Sequence, residues 1–436
     1  MLKAASRITT WILLLSLTWL MFTLASMTAQ TSSRGKTSPT SLSNAGLPAG
    51  SLKAVSMLGL KAKLSYRSGA DEPQNPSTGL TQATSARTNE MSWWPTKGGP
   101  ARTEYAGAES CTKCHAGIVA TQRKTPMFNA ASRPSESALL RHHTALPFSD
   151  SEYSYVLSRQ PDESNFLVTN ATQTISSRID WAFGSGEVAQ TYVLRRNQSY
   201  LESRLTYYTS LMALGITTGH SATPPEPIEE SLGDPLNPEI VTLCFGCHTT
   251  ASTTSGIFEP DHATLGLTCE ACHGPGAKHV AAMNSNQLSP REKTIFSAQE
   301  LSPVESVDFC GACHRTPVDV AELPANNMGI TTLRFQPYRL ERSLCWGEKG
   351  DARITCIACH DPHKPLVREL TSYDEECLKC HANTGSTPSA TLIAGCKVGK
   401  SDCASCHMPK YEIPAVHAKF TDHYIRIVRS DSGFQP

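Results

Sequence analysis

The chain has 436 residues, and its 39 lysines and arginines balance 39 aspartates and glutamates. No basic stripe or strong patch stands out, which excludes the electrostatic footprint of a nucleic-acid binder. Its length accommodates more than one compact region, and its 16 cysteines are the most informative residues in the composition.

Residues 1–7 carry Lys3 and Arg7, residues 8–25 form an uncharged and mostly apolar run, and Ala25, Ser26 and Ala29 are small. Charged, apolar and small in that order is the layout of a secretory signal. The apolar run is at the short end of spanning length, so an uncleaved membrane anchor is the alternative. Residues 1–29 are therefore read as a signal peptide or membrane anchor. Either one sends the protein to the periplasm or the outer surface, with a possible membrane tether through the N-terminus. Residues 30–104 are rich in Ser, Thr, Gly and Pro and poor in aromatics until Trp93 and Trp94. Such a stretch buries too little apolar surface to offset its ordering entropy, so a disordered linker is expected there.

From that point one motif, Cys-x-x-Cys-His, occurs seven times. The copies are Cys111, Cys114 and His115; Cys244, Cys247 and His248; Cys269, Cys272 and His273; Cys310, Cys313 and His314; Cys356, Cys359 and His360; Cys377, Cys380 and His381; and Cys403, Cys406 and His407. Two thiols in that spacing can add to the two vinyl groups on one haem edge, while the histidine ligates the iron from below. Zinc knuckles and thioredoxin-like pairs do not need a histidine after every second cysteine, and a thioredoxin motif occurs once. Seven covalently bound haem c groups with their iron are expected.

Spacing divides the chain. The first motif precedes the second by 133 residues, whereas later motif starts follow at 25, 41, 46, 21 and 26. We expect residues 105–243 to hold the first haem and a small β-rich region, and residues 244–436 to form a six-haem domain. So little polypeptide per haem leaves room for short helices and loops, with the macrocycles forming much of the core. Between the first two motifs, β-branched and aromatic segments separated by turn residues predict a small antiparallel sheet over residues 150–210. The Gly-Ser-Gly at 184–186 reads as a tight turn, because the rest of a nucleotide-binding fingerprint is missing.

Eight histidines lie outside the motifs, and each iron needs a sixth ligand or stays open. His279, six residues after His273, and His363, three after His360, follow turns that direct them toward a neighbouring haem. His417, His423 and His262 are further candidates, and His142, His143 and His220 stay open. Met127, twelve residues after His115, is either a distal ligand to the first haem or a core methionine. Cys345 and Cys396 lie outside the motifs, and a disulfide between them is expected in an exported protein, with a thiolate ligand or a free thiol as the alternatives.

The stretches Cys-Glu-Ala-Cys-His-Gly-Pro-Gly-Ala-Lys-His (269–279), Cys-Ile-Ala-Cys-His-Asp-Pro-His (356–363) and Cys-Ala-Ser-Cys-His-Met-Pro (403–409), followed by Phe-Thr-Asp-His (420–423), resemble multihaem cytochromes c. The similar families are the tetrahaem cytochrome c-554 type and the doubled-CXXCH proteins. The resemblance covers residues 109–429 and is strongest in the C-terminal half. It implies a mainly α and irregular fold around stacked haems, with a small antiparallel β insert in the N-terminal half. It also implies that histidines such as His279, His363 and His423 ligate a neighbour's iron. Relatives include electron carriers and enzymes such as hydroxylamine oxidoreductase and pentahaem nitrite reductase. This chain has no Cys-x-x-Cys-Lys motif, which the usual nitrite reductases use at their catalytic haem.

The expected function is electron relay through closely packed, mostly bis-His haems, without bond chemistry. Expected partners are redox proteins, quinol-linked membrane donors and other cytochromes. The competing reading is an oxidoreductase acting on a small nitrogen or sulfur compound at a five-coordinate haem, and a third is an extracellular haem filament.

Overall fold

The computed structural model describes residues 100–435 apart from 161–162, 198, 286–293, 322–328, 347–352, 382–395, 397 and 430–432. The expected signal and nearly all of the expected linker lie outside the described residues. Residues 100–104, at the linker's end, pack into the fold: Arg102 donates to the carbonyl of His262 at 2.6 Å and to Glu259 at 3.2 Å.

The chain enters through helix α1 (Ala108–Gln122) and then builds an antiparallel sheet of nine strands. These are β1 (Ala131–Ser132), β2 (Ala145–Ser149), β3 (Ser154–Arg159), β4 (Ser164–Thr169), β5 (Thr174–Phe183), β6 (Ala189–Arg196), β7 (Ser199–Tyr208), β8 (Ala213–Ile216) and β9 (Gly233–Leu236). Strands β2 to β8 pair in sequence order, β1 pairs with β5, and β9 pairs with β7. The sheet curls until it is nearly closed. Period-two alternation sends Tyr155, Leu157, Phe166 and Val168 inward, each fully buried. With Tyr192, Leu194 and Leu205 from β6 and β7 they belong to a core of seventeen buried residues.

Strand β5 departs from alternation, and Ile179 to Phe183 are all buried. Its register shifts between Ile179 and Trp181, and a shift of this kind re-aims the side chains beyond it. Trp181 and Phe183 then leave the main core and pack against Val241 and Phe245 of helix α2 (Pro238–His248). Gly184 turns the chain after β5 at φ +99°, and a Cβ there would stand 2.5 Å from the Ala189 carbonyl oxygen. Only glycine fits that turn.

Beyond the sheet come short elements: α3 (Cys269–His273), α4 (Ala277–Ser285), α5 (Pro303–His314), α6 (Gln336–Glu341), α7 (Asp374–His381) and α8 (Cys403–His407). A last hairpin joins β10 (Lys410–Ile413) to β11 (Ala418–Thr421). Among the described residues the apolar clusters here contain two or three buried residues each. Among the described residues no helix is long and apolar enough to cross a membrane.

The expectation of a mainly α and irregular fold is overturned. A nine-stranded sheet fills the middle of the chain and extends on both sides of the 150–210 segment predicted for it. Local composition misses the added strands for physical reasons. The segments Ala-Leu-Gly-Ile (β8) and Gly-Asp-Pro-Leu (β9) have little intrinsic β preference, and pairing along β7 makes them strands. Replacing Phe166 by alanine should cost about 3–5 kcal/mol of stability, since the ring is fully buried in the sheet core. Denaturant titration followed by far-ultraviolet circular dichroism measures the loss, and visible haem absorbance before unfolding should be unchanged.

Candidate haem-binding site

Five of the seven motifs close an α-helix at their histidine: α2, α3, α5, α7 and α8. On a helix, residues three and four apart share a face, so both thiols and the imidazole emerge on one side. The first motif lies within α1, which departs from helical geometry at His115 (φ −114°, ψ 33°). The fifth sits on a 3-10 turn, Cys356–Ala358. Helix starts are well specified: Asn237 accepts a bond from the Ile240 amide, and Ser302 and Glu305 form a capping box on α5.

The histidines are oriented from their far side. The Nδ1 of His248 meets the Ala130 carbonyl at 3.0 Å, that of His273 meets Phe296 at 2.9 Å, and that of His407 meets Arg426 at 2.9 Å. A carbonyl only accepts, so Nδ1 carries the proton and the Nε2 lone pair is presented outward. That is the tautomer an iron ligand requires. Desolvation lowers the pKa of His314 below its ordinary value.

Around His248 the sheet is the support. Phe183 lies parallel to the imidazole, with ring centroids 5.1 Å apart and planes 8° from each other. Phe245, within the motif, meets Phe183 and Trp181 edge-on at 5.0 and 5.1 Å. The Ala130 carbonyl also accepts from the Gly184 amide at 2.7 Å, which ties the histidine to the β5 turn.

Motifs also meet one another. The segments that carry the motifs pack in pairs, which makes Cys111 and Cys269 neighbours, as are Cys310 and Cys356, and Cys377 and Cys403. Buried carboxylates hold two of these pairs. Glu270, inside the third motif and 3% exposed, accepts from the amides of Ala106, Gly107 and Gly276 at 2.8, 2.9 and 2.7 Å. It thereby holds the chain at the start of α1, the helix of the first motif. Asp374, at the start of α7, accepts from Asp402 and Cys403 at 2.6 and 2.8 Å and anchors α8 in the same manner. Neither residue drew attention in the sequence. The available signal was an acid within, or three residues before, an attachment motif.

The candidate distal histidines fall into distinct settings. His363 stands opposite His273, ring centroids 6.0 Å apart and planes 9° from parallel. His423 stands opposite His360 at 6.3 Å and 46°. These centroid separations are those of offset or edge-on rings rather than of rings stacked squarely face to face. Two metal–nitrogen bonds of about 2 Å plus two ring radii span roughly 6 Å, which matches both pairs. His279 is half-buried on α4 with Nδ1 3.1 Å from the Thr294 hydroxyl. His262 is exposed in the turn Pro260–His262. His417 adopts a left-handed backbone (φ 51°) and meets the Tyr208 ring edge-on at 4.8 Å.

Of the remaining candidates, His142 is exposed with Nδ1 2.6 Å from the Ala138 carbonyl, and His143 lies 5.7 Å from the Tyr207 ring. His220 faces two carboxylates of the sheet, with Nε2 3.3 Å from Glu202 and Nδ1 3.7 Å from Asp234. Both ring nitrogens are thus occupied in the β7–β9 region. Met127 is half-buried beside the third motif, its carbonyl accepting from Leu267 at 2.9 Å. Cys345 and Cys396 are not bonded to each other. Burial raises the pKa of Cys345, which neighbours Cys377 and Cys380, and the amides of Gly399 and Val398 lower that of the exposed Cys396.

A family model described as cytochrome c554 and c-prime matches residues 224–274, the segment that holds the second and third motifs. Among curated proteins, the multihaem cytochrome MtrA of Shewanella baltica is 22% identical over 215 residues, covering 45% of this chain and 54% of that protein. The chain thus spans about half the length of the curated relative it matches. The crystal structure of the outer cell wall cytochrome OcwA aligns with a TM-score of 0.41 and 16% identity, over 74% of this chain and 80% of that one. The repeated attachment motif and the matched segment together support a multihaem c-type cytochrome, a class that carries covalently bound haem c and its iron.

Proposed function

We propose that this protein is an exported heptahaem electron relay whose haems are mostly bis-His. The carrying observation is the pair of facing rings, His273 with His363 and His360 with His423, at separations that fit two axial ligands of one iron. In this reading each motif's cysteines hold one haem, His363 completes the third site and His423 the fifth. His279, His417 and His262 serve further sites. The haem supplies one-electron iron chemistry. The chain fixes spacing, tautomer and burial, the quantities that set potential.

Neighbouring motifs give the relay its order. The first adjoins the third through Cys111 and Cys269. Cys272 lies within electrostatic range of Cys310, which touches Cys356, so the third leads to the fourth and fifth. Cys359 neighbours Cys377, and Cys377 touches Cys403, which continues to the sixth and seventh. The second branches at the fourth, where the Cys247 sulfur approaches the Ala312 carbonyl at 3.9 Å. Electrons enter and leave at the first and seventh motifs, exchanging with other cytochromes or quinol-linked membrane donors. The signal-like N-terminus supports a periplasmic or outer-surface location, with a membrane tether as its other form.

A pyridine haemochrome assay combined with intact mass should give seven haems per chain, and six or fewer would refute the stoichiometry. His363→Ala and His423→Ala should each keep every haem but convert one low-spin iron to high-spin in the oxidised spectrum. An unchanged low-spin spectrum in both variants would reject the axial assignment. Glu270→Gln should weaken the junction of the first and third motifs, because glutamine keeps one acceptor oxygen and turns an NH2 donor toward a backbone N–H that the second carboxylate oxygen now receives. Hydrogen exchange at Ala106 and Gly107 should accelerate, while exchange in the sheet core stays unchanged.

A further inference from the structure

The turn 422–426 links two motifs that are separate along the chain. Asp422 is fully buried, and both its oxygens are engaged. Oδ1 accepts from Arg339 Nε at 2.8 Å and from the Tyr424 amide at 3.0 Å. Oδ2 accepts from Arg339 Nη2 at 2.9 Å and from Arg426 Nη1 at 2.7 Å. Arg339 is itself fully buried, 83 residues away on α6, and packs beneath the Phe434 ring at 4.9 Å. One carboxylate thus gathers two guanidinium groups and a backbone amide into a turn of five residues.

Each end of that turn meets a different motif. His423, next to Asp422, faces His360 of the fifth motif, and its carbonyl accepts from the Ser343 hydroxyl at 3.0 Å. The same Ser343 oxygen accepts from the Ile425 amide at 2.8 Å. At the other end the Arg426 carbonyl receives His407 Nδ1 of the seventh motif at 2.9 Å, and the Arg426 amide donates to the His407 carbonyl at 3.2 Å. The distal histidine of one site and the far-side anchor of another therefore share a single buried ion cluster.

We infer that Asp422, with Arg339 and Arg426, is a positioning residue shared by two haems: it sets the axial bond of His423 at the fifth site and the imidazole of His407 at the seventh. The inference rests on the relay reading for the ligand role of His423. Loosening the turn moves both histidines, whereas removing the His423 ring touches only one. Ligand orientation and the hydrogen bond on the far nitrogen both tune an iron, so both haems should register the change.

Full-length, haem-loaded His423→Ala and Asp422→Asn are compared with the unaltered protein by paramagnetic resonance and potentiometric titration. His423→Ala should lose one low-spin signal and leave the others in place. Asp422→Asn should displace two signals and two midpoint potentials with the haem count unchanged. Arg426→Lys retains the charge toward Asp422 but loses the Arg426 bonds to the Tyr424 carbonyl and the Tyr411 hydroxyl. It should displace the same two signals less, and it gives the reading should Asp422→Asn fail to accumulate. Displacement of one signal or none in a fully loaded variant would overturn the shared role. A low-spin spectrum unchanged by His423→Ala would instead strike the ligand reading of His423, and the fifth-site half of the proposal with it.

Discussion

Carboxylates that accept backbone amides from another motif's helix are the interaction on which the arrangement of attachment sites depends. Glu270 takes three amides within 2.9 Å while almost entirely buried. An ionised carboxylate with its acceptor sites satisfied is stable in such a place, and bonds of this kind are about twice as strong as neutral ones. Asp374 repeats the device at the start of α8. Attachment helices of five to fifteen residues are too short to be stable alone. Carboxylate clamps and covalent haem compensate for what helix propensity lacks.

The sheet serves the same end by different physics. It has an apolar core of its own, seventeen buried residues, whereas among the described residues beyond the second motif the clusters hold two or three. The sheet can bury its own surface, while the motif region relies on the cofactor for a core. One contact between the two is at β5, whose Trp181 and Phe183 turn outward onto α2 and steady His248. Further bonds tie the sheet's β7–β8 side to the last hairpin: the Ser210 hydroxyl to the His417 carbonyl, and the Thr218 hydroxyl to that of Ala415 at 2.6 Å.

The seven Cys-x-x-Cys-His motifs are legible because their pattern is local. Cysteine, cysteine and histidine at positions one, four and five fall on one face of a helical turn, the form that five of the seven motifs take. The candidate distal ligands were legible as a set, since histidines are few. The division of the chain by spacing was less complete: 133 residues separate the first two motifs, yet the first rests against the third. The sheet lies between them as an excursion that returns the chain close to its start.

Residue order by itself determined the cofactor chemistry, the short helices that end at their histidines, and the β-forming character of the stretch between the first two motifs. Tertiary structure alone decided the sheet's full extent, the pairing of motifs, and the partners of His363 and His423. The reason is range. A haem motif is closed within five residues, but Glu270 reaches Gly107 across 163 positions and Arg339 reaches Asp422 across 83. Contacts at such separations are fixed by how helices and strands pack, which no local spacing encodes.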